Sequence, residues 1–410
     1  MHKLRADWIF DGRRLNASAV LLVEDDGTIA DLLLPGGETA ADGDTEDSDT
    51  EYFQGILCPG FINAHCHLEL SHMKNMVPKS GGLVDFILQL QRLRNFPEEE
   101  VLAAMEQAEK KMLAGGIVAV GDIANSGVSF PLKQKSRLEY HTFLEVFGFD
   151  PLKAENILAA ALALQAEWAI DAPAPGATAA PGNRSLRAGI VPHAPYSVSQ
   201  ALFDLIAKQA AKSAGPVLLS IHNQESAHED PFYRDGTGDF KRLYREFGID
   251  LSFYRPYGSR APAAWLPWLG TSAKKLLVHN TYTTAEDIDL AAQWGDTWWC
   301  LCPNANLYIE QRLPDIPLFV EKGLNLVLGT DSLASNDHLS ILEEMKTISA
   351  RFPEVGLEQL LRWATRNAAE FFDWEHLGSF ERGKKPGVNL LTGLDNMQPG
   401  KDTRVRPLVP

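Results

Sequence analysis

Cysteine is scarce in this chain of 410 residues, which holds four: Cys58, Cys66, Cys300 and Cys302. So few in so long a chain make no disulfide framework, and all four fall in runs that read as buried strands, so reduced, packed thiols are expected. Cys300 and Cys302 alternate in an apolar strand with no second pair, which reads as packing rather than as zinc ligands. Long apolar runs are missing too. Residues 1–8 lack the apolar stretch of a signal peptide, and no later segment approaches the ~20 residues that span a bilayer, so a cytoplasmic protein without a membrane partner is expected. Positive charge is in the minority, with 38 Lys and Arg against 54 Asp and Glu, a formal net charge of -16. An acidic surface repels nucleic acid and anionic membranes, which leaves a small molecule as the expected partner. The sequence is also compatible with a homo-oligomer.

What the chain has in quantity is apolar residues, 45% of the total, and they come in short runs that alternate with helical patterns. Runs buried on both faces are the mark of parallel strands. Eight can be counted: 57–67, 117–122, 142–147, 189–193, 217–222, 276–280, 297–303 and 326–331. Helical periodicity fills the gaps over 98–114, 151–169, 200–213, 284–293, 339–352 and 357–372. The predicted fold is therefore α/β, a (β/α)8 TIM barrel over residues 57–374, a class that needs roughly 250 residues plus insertions. Short strands before it and a strand-and-turn pattern over 377–391 predict a small β-sandwich domain built from both termini, 1–56 plus 375–410. An acidic, Gly-containing loop over 35–50 reads as mobile, and an Ala, Pro and Gly-rich loop over 171–187 reads as a surface excursion. The insertion 223–272 carries Phe232, Tyr233, Phe253, Tyr254, Tyr257, Trp265 and Trp268. Such a segment reads either as a lid over the site or as the core of a small helical subdomain.

Several of these strands end in a residue that can bind a metal. Alternate strand residues point the same way, so His65 and His67 face one point at the end of the first run. His222 ends the fifth run, His279 the sixth and Asp331 the eighth. Active-site residues of barrels of this class sit at the carboxyl ends of the strands. Three imidazoles and a carboxylate, His65, His67, His222 and Asp331, suit one divalent ion, Zn2+ or else Fe2+, with an open position at which a water is activated. Asp331 can also take a proton from that water. Glu225, three residues beyond His222, can protonate a leaving nitrogen. His279 reads as a group that polarises the water, as a further ligand, or as a core histidine with its hydrogen bonds satisfied.

Together these segments resemble the amidohydrolase superfamily, in its deaminase and chlorohydrolase branch. The likeness is carried by residues 59–67 (PGFINAHCH), 192–197 (PHAPYS), 222–225 (HNQE), 278–280 (VHN), 302–306 (CPNAN) and 328–332 (LGTDS), and by 364–369 (ATRNAA) near the end. The resemblance implies a metal at His65, His67, His222 and Asp331, a proton shuttle at Glu225, a water-orienting His279 and a substrate contact at His193. Dinuclear members bridge two metals with a lysine on the fourth strand. Residues 189–193 hold none, so a single ion is expected, with Glu145 as a supporting group rather than a second metal's ligand. The segment His65-x-His67-Leu68-Glu69 resembles aminodeoxyfutalosine deaminases, in which the Glu69 carboxylate would suit sugar hydroxyls; a glutamate that accepts backbone N–H groups in the first loop is the other reading. The function implied is metal-dependent hydrolytic deamination of an aminated heterocycle, a 6-aminopurine nucleoside such as aminodeoxyfutalosine. The alternatives are hydrolytic dechlorination or cyclic C–N hydrolysis at the same centre, and a non-catalytic barrel used as a binding module.

Overall fold

The structure, a computed structural model, describes residues 1–35, 50–93, 95–170, 187–213, 215 and 217–409. Most of the two loops expected over 35–50 and 171–187 falls outside the described residues. The strands, in chain order, are β1 (His2–Phe10), β2 (Leu15–Ala17), β3 (Val20–Val23), β4 (Ile29–Leu33), β5 (Thr50–Pro59), β6 (Phe61–Cys66), β7 (Ile117–Ala124), β8 (Glu139–Val146), β9 (Arg187–Pro192), β10 (Leu218–Asn223), β11 (Lys274–His279), β12 (Thr297–Leu301), β13 (Leu326–Leu328), β14 (Val388–Thr392) and β15 (Arg404–Val409). Contacts divide the chain into one unit of residues 1–64, 110–120 and 340–410 and another of 65–109 and 121–339.

In the first unit one sheet runs in the order β15-β14-β5-β1-β3-β4, with β2 beside β1. Strands from both ends of the chain thus share hydrogen bonds: Leu390 of β14 lies antiparallel to Leu57 of β5, and β5 runs parallel to β1. The period-two pattern explains the register. Leu4, Ala6, Leu21, Val23, Ile29, Leu57, Val388 and Leu390 turn to one buried cluster with Phe380, and each large apolar side chain so buried stabilises the fold by about 1.5–3 kcal/mol. The apolar run 57–67, expected as a single strand, is two. It divides at Gly60, where a Cβ would stand 2.3 Å from Val118 Cγ1 and 2.6 Å from the Pro386 carbonyl oxygen, so the backbone packs too closely for any side chain. The helix expected over 357–372 is also two, Leu357–Ala364 and Arg366–Phe372. Thr365 between them has φ -131° and its hydroxyl donates to the Leu361 carbonyl at 2.6 Å, a back-bond that competes with the helix ladder.

The remaining strands form two four-stranded sheets, β6-β7-β8-β9 and β10-β11-β12-β13. The β8–β9, β10–β11, β11–β12 and β12–β13 pairs are parallel. β8, β10 and β13 are buried along their whole length, as strands covered on both faces are. Register sets the carboxyl ends level: His222 lies opposite Val278 and Asn223 opposite His279. An isolated parallel bridge joins Cys66 to Asp331, and the His222 N–H donates to the His193 carbonyl at 2.9 Å. Gly329 permits the first of these approaches, since a Cβ there would meet Cys300 Sγ at 2.8 Å and His65 Cβ at 2.9 Å.

The insertion after β10 folds into helices Glu229–Asp235, Phe240–Glu246 and Ala261–Leu269. Its aromatics fill a core of their own. Phe232, Tyr233, Phe240 and Trp265 are buried, Phe232 stacks on Tyr254 with centroids 4.6 Å apart, and the Tyr233 hydroxyl donates to the Pro195 carbonyl at 2.7 Å. Of the two readings of this segment, the helical subdomain describes these contacts. Among the described residues no helix is long and apolar enough to cross a membrane.

Candidate metal centre

The carboxyl ends of β6, β10 and β13 bring His65, His67, His222 and Asp331 into one cluster, all four buried, with one ligand atom of each inside a 4.8 Å group. His67 Nε2 lies 3.2 Å from His65 Nε2 and 3.4 Å from His222 Nε2. Asp331 Oδ1 is 3.4 Å from His67 Nε2 and 3.7 Å from His65 Nε2. Ligands of a tetrahedral Zn2+ at about 2.0–2.1 Å stand ~3.3 Å from one another, so the donor set matches the spacing such an ion demands.

Protonation matches as well. Burial pushes His65 down, His67 to about 3 and His222 well below the ordinary imidazole value, so each ring is neutral and offers a lone pair. Burial alone would raise Asp331, but the neighbouring side chains of His65, His67 and His279 hold it well below the usual carboxylate range. The His222 Nδ1–H donates to the His193 carbonyl at 2.8 Å, which fixes the tautomer and leaves Nε2 free for a cation. Asp331 is set by its backbone, with φ 57°, and its N–H donates to the His65 carbonyl at 3.1 Å. Its second oxygen, Oδ2, accepts from the Ser335 hydroxyl.

Glu225 and His279 stand beside this group. Glu225 is buried, its carboxyl pushed well up by burial, and its Oε1 lies 3.6 Å from His279 Nε2. His279 Nδ1 is 2.8 Å from Asn306 Oδ1, and Asn306 Nδ2 donates to the His279 carbonyl at 3.3 Å. The amide oxygen therefore accepts from Nδ1–H, and Nε2 carries the lone pair. Gln224, His279, Asn280 and Asp331 all have left-handed backbone, φ 44°, 74°, 58° and 57°. Strain of this kind collects at functional sites, where packing over-determines it.

The flanking groups behave differently. Glu145, pushed up to about 8 by burial, accepts from Asn125 Nδ2 at 3.1 Å and lies 3.6 Å from His222 Nδ1. Glu145, His193 and His222 are close enough to share an ion, yet His222 Nδ1 already donates to a carbonyl and its Nε2 lies against His67, so the lone pair of that ring belongs to the first cluster. His193, half-buried, is held by Ser197, whose Oγ is 2.6 Å from its Nδ1. The Glu69 carboxylate accepts from the backbone N–H groups of Asn125 at 3.1 Å and Ser126 at 3.2 Å. Reading the sequence supplied no role for Asn306, Ser335, Ser197 or Asn125. Asn306 lay inside a quoted motif, but its partner is 27 residues away, and nothing local marks such a pair.

Known proteins resemble this chain over most of its length. The sequence profile of the Amidohydrolase family matches residues 56–403. The aminodeoxyfutalosine deaminase of Deinococcus radiodurans is 28% identical over 320 residues, 76% of this chain and 72% of that protein. The crystal structure of Helicobacter pylori aminofutalosine deaminase with methylthio-coformycin superposes with a TM-score of 0.76 at 21% identity, over 96% of this chain and 93% of that one. An adenosine deaminase from Xanthomonas campestris with bound zinc gives a TM-score of 0.68 at 19% identity, over 95% of this chain and 84% of that one. The likeness shows a TIM-barrel-like α/β fold.

Proposed function

The chain belongs to the amidohydrolase family, hydrolases of C–N bonds other than peptide bonds, and from that premise we propose that it is a metal-dependent deaminase of a 6-aminopurine nucleoside, with aminodeoxyfutalosine as its nearest model substrate. The observation that carries this is the convergence of three neutral imidazoles and Asp331, whose ligand atoms all lie within 4.8 Å of one another, with Glu225 and His279 alongside. The Deinococcus relative and the Helicobacter neighbour, by the substrates in their names, support the choice of a nucleoside.

His65, His67, His222 and Asp331 would hold the ion, with Zn2+ favoured by the ligand set and by the zinc of the Xanthomonas neighbour. Such an ion lowers the pKa of a water toward neutrality and so supplies the nucleophile. Asp331 and His279 keep the attacking water in line with the amidine-like carbon. Glu225 protonates the ring nitrogen, then takes the proton of the newly added hydroxyl and passes it to the amine, which departs as ammonia as the C=O bond forms. His193 and Glu69 are the residues assigned to the substrate; the Glu69 carboxylate also ties down the loop at Asn125 and Ser126.

We also read the two four-stranded sheets as one closed (β/α)8 barrel, supported by the Cys66–Asp331 bridge and the bond from His222 N–H to the His193 carbonyl. The sheet shared by both termini is read as a small β-sandwich domain. A panel of purine and pyrimidine amines and chlorinated heterocycles, offered to protein of known metal content, tests the function. Release of ammonia from a 6-aminopurine nucleoside supports it; chloride release or turnover of a cyclic amide alone would replace it.

A further inference from the structure

Glu229 has no part in the scheme above, yet it is a fully buried carboxylate in the first turn of Glu229–Asp235. Its two oxygens take three consecutive backbone N–H groups. Oε2 accepts from Gln224 at 2.9 Å, and Oε1 accepts from Glu225 at 2.7 Å and Ser226 at 3.2 Å. These three residues are the segment that carries Glu225. A second set of bonds holds the same segment from the residues that follow β11. The Tyr282 N–H donates to the Gln224 carbonyl at 3.0 Å, the Thr283 hydroxyl to Gln224 Oε1 at 2.8 Å, and Gln224 Nε2 to Asp287 Oδ2 at 3.0 Å. Asp287 is pinned in turn by Arg260, whose Nη2 is 2.6 Å from Oδ2 and whose guanidinium also pairs with Asp230 at 2.8 Å.

Burying a carboxylate costs several kcal/mol unless N–H donors replace water, so packing alone does not explain the choice of residue. An amide of the same shape has one acceptor oxygen and would turn an NH2 toward an N–H, so only a carboxylate accepts on both sides at once. Without the clamp, Gln224 at φ 44° would relax toward ordinary backbone, and Glu225 Oε1 would leave its place 3.6 Å from His279 Nε2.

We propose that Glu229 is the positioning residue of the proton shuttle: it fixes the backbone of Gln224, Glu225 and Ser226 so that the Glu225 carboxyl is aimed at the reacting nitrogen. The proposal rests on the deaminase reading above for its catalytic purpose, and it gives the first helix of the insertion a part in the site.

The test compares Glu229→Gln and Glu229→Asp with the wild type, all as metal-loaded full-length protein. Misplacement of a catalytic group by about 1 Å costs up to ~100-fold, so Glu229→Gln should lose about 10- to 100-fold in kcat, with KM within about twofold and metal content unchanged. Glu229→Asp, which keeps both acceptors but shortens the arm, should retain more activity than the amide that matches the native shape. In a Glu225→Gln background the Glu229→Gln change should have almost no further effect, because the group it aims is already gone. Unchanged kcat in Glu229→Gln, or full additivity of the two changes, overturns the proposal. Amide hydrogen exchange over 224–226 supplies a readout independent of turnover: it should quicken in Glu229→Gln, and unchanged protection there also overturns the clamp. Faster exchange in a protein whose wild type releases no ammonia from any amine would keep the clamp and sink the deaminase reading instead.

Discussion

His279 donates its Nδ1–H to Asn306 Oδ1 over 2.8 Å, and the opposite ring nitrogen thereby presents a lone pair to Glu225 Oε1, 3.6 Å away. Asn306 sits in the helix Pro303–Glu310 that follows β12 and reaches back under the end of β11. Its amide decides which tautomer His279 adopts, and so whether that residue can accept a hydrogen bond at the site.

Asn306→Ala frees the ring and leaves the His279 carbonyl without its donor. Loss of such an orienting partner costs about 10- to 100-fold in activity. Steady-state kinetics should show the loss in kcat with little change in metal content; unaltered kcat would remove Asn306 from the site.

Glu225 and Asp331 separate by what each substitution spares. Glu225→Gln keeps the ion and loses about 100- to 10,000-fold in turnover, the usual scale of a lost acid–base group. Asp331→Asn weakens both binding and turnover, because Asp331 Oδ1 lies within the donor cluster. Elemental analysis beside an ammonia-release assay checks both; full activity in the Glu225 variant would refute the shuttle.

Gly329→Ala tests the close approach behind His65. The new methyl would press on Cys300 Sγ at 2.8 Å and His65 Cβ at 2.9 Å. Overpacking of this sort costs about 1–3 kcal/mol, so the melting temperature and the metal content should fall together. A variant that keeps its full complement of metal would show that His65 tolerates the shift.

His141 on β8 gives a pH signature away from the metal cluster. Burial, then the charges of Arg187 and Lys133, push it from 6.5 to about 3. The unfolded chain then takes up a proton that the folded chain refuses. The contribution to stability is whole above 6.5 and is lost as pH falls toward about 3, at about 1.4 kcal/mol per pH unit well below the unfolded value. Urea unfolding of the wild type between pH 6 and pH 5 should therefore lose about 1 kcal/mol more than that of His141→Gln. Equal losses would mean that the ring is protonated or exposed in the fold.

The strand ends were legible because burial on both faces writes itself as an apolar run, and a polar residue closing such a run stands out. His65, His67, His222 and Asp331 each close or follow such a run. The break at Gly60 was not legible, since the run continues through it and only the approach of Val118 and the Pro386 carbonyl demands a glycine. The helix Leu83–Leu93 and the short turn Leu68–Met73 lie between the elements expected from the sequence. Glu229 and Asn306 escaped for another reason. Each acts on backbone or on a ring through hydrogen bonds, and periodicity records burial, not partners.

The ligand shell of the purified protein bears most directly on the central claim. X-ray absorption at the metal edge should find one ion per chain with three imidazoles and a carboxylate oxygen at about 2.0–2.1 Å. Protein without stoichiometric metal, or sulfur scatterers at about 2.3 Å that would place the ion at cysteine, would contradict a centre built from His65, His67, His222 and Asp331.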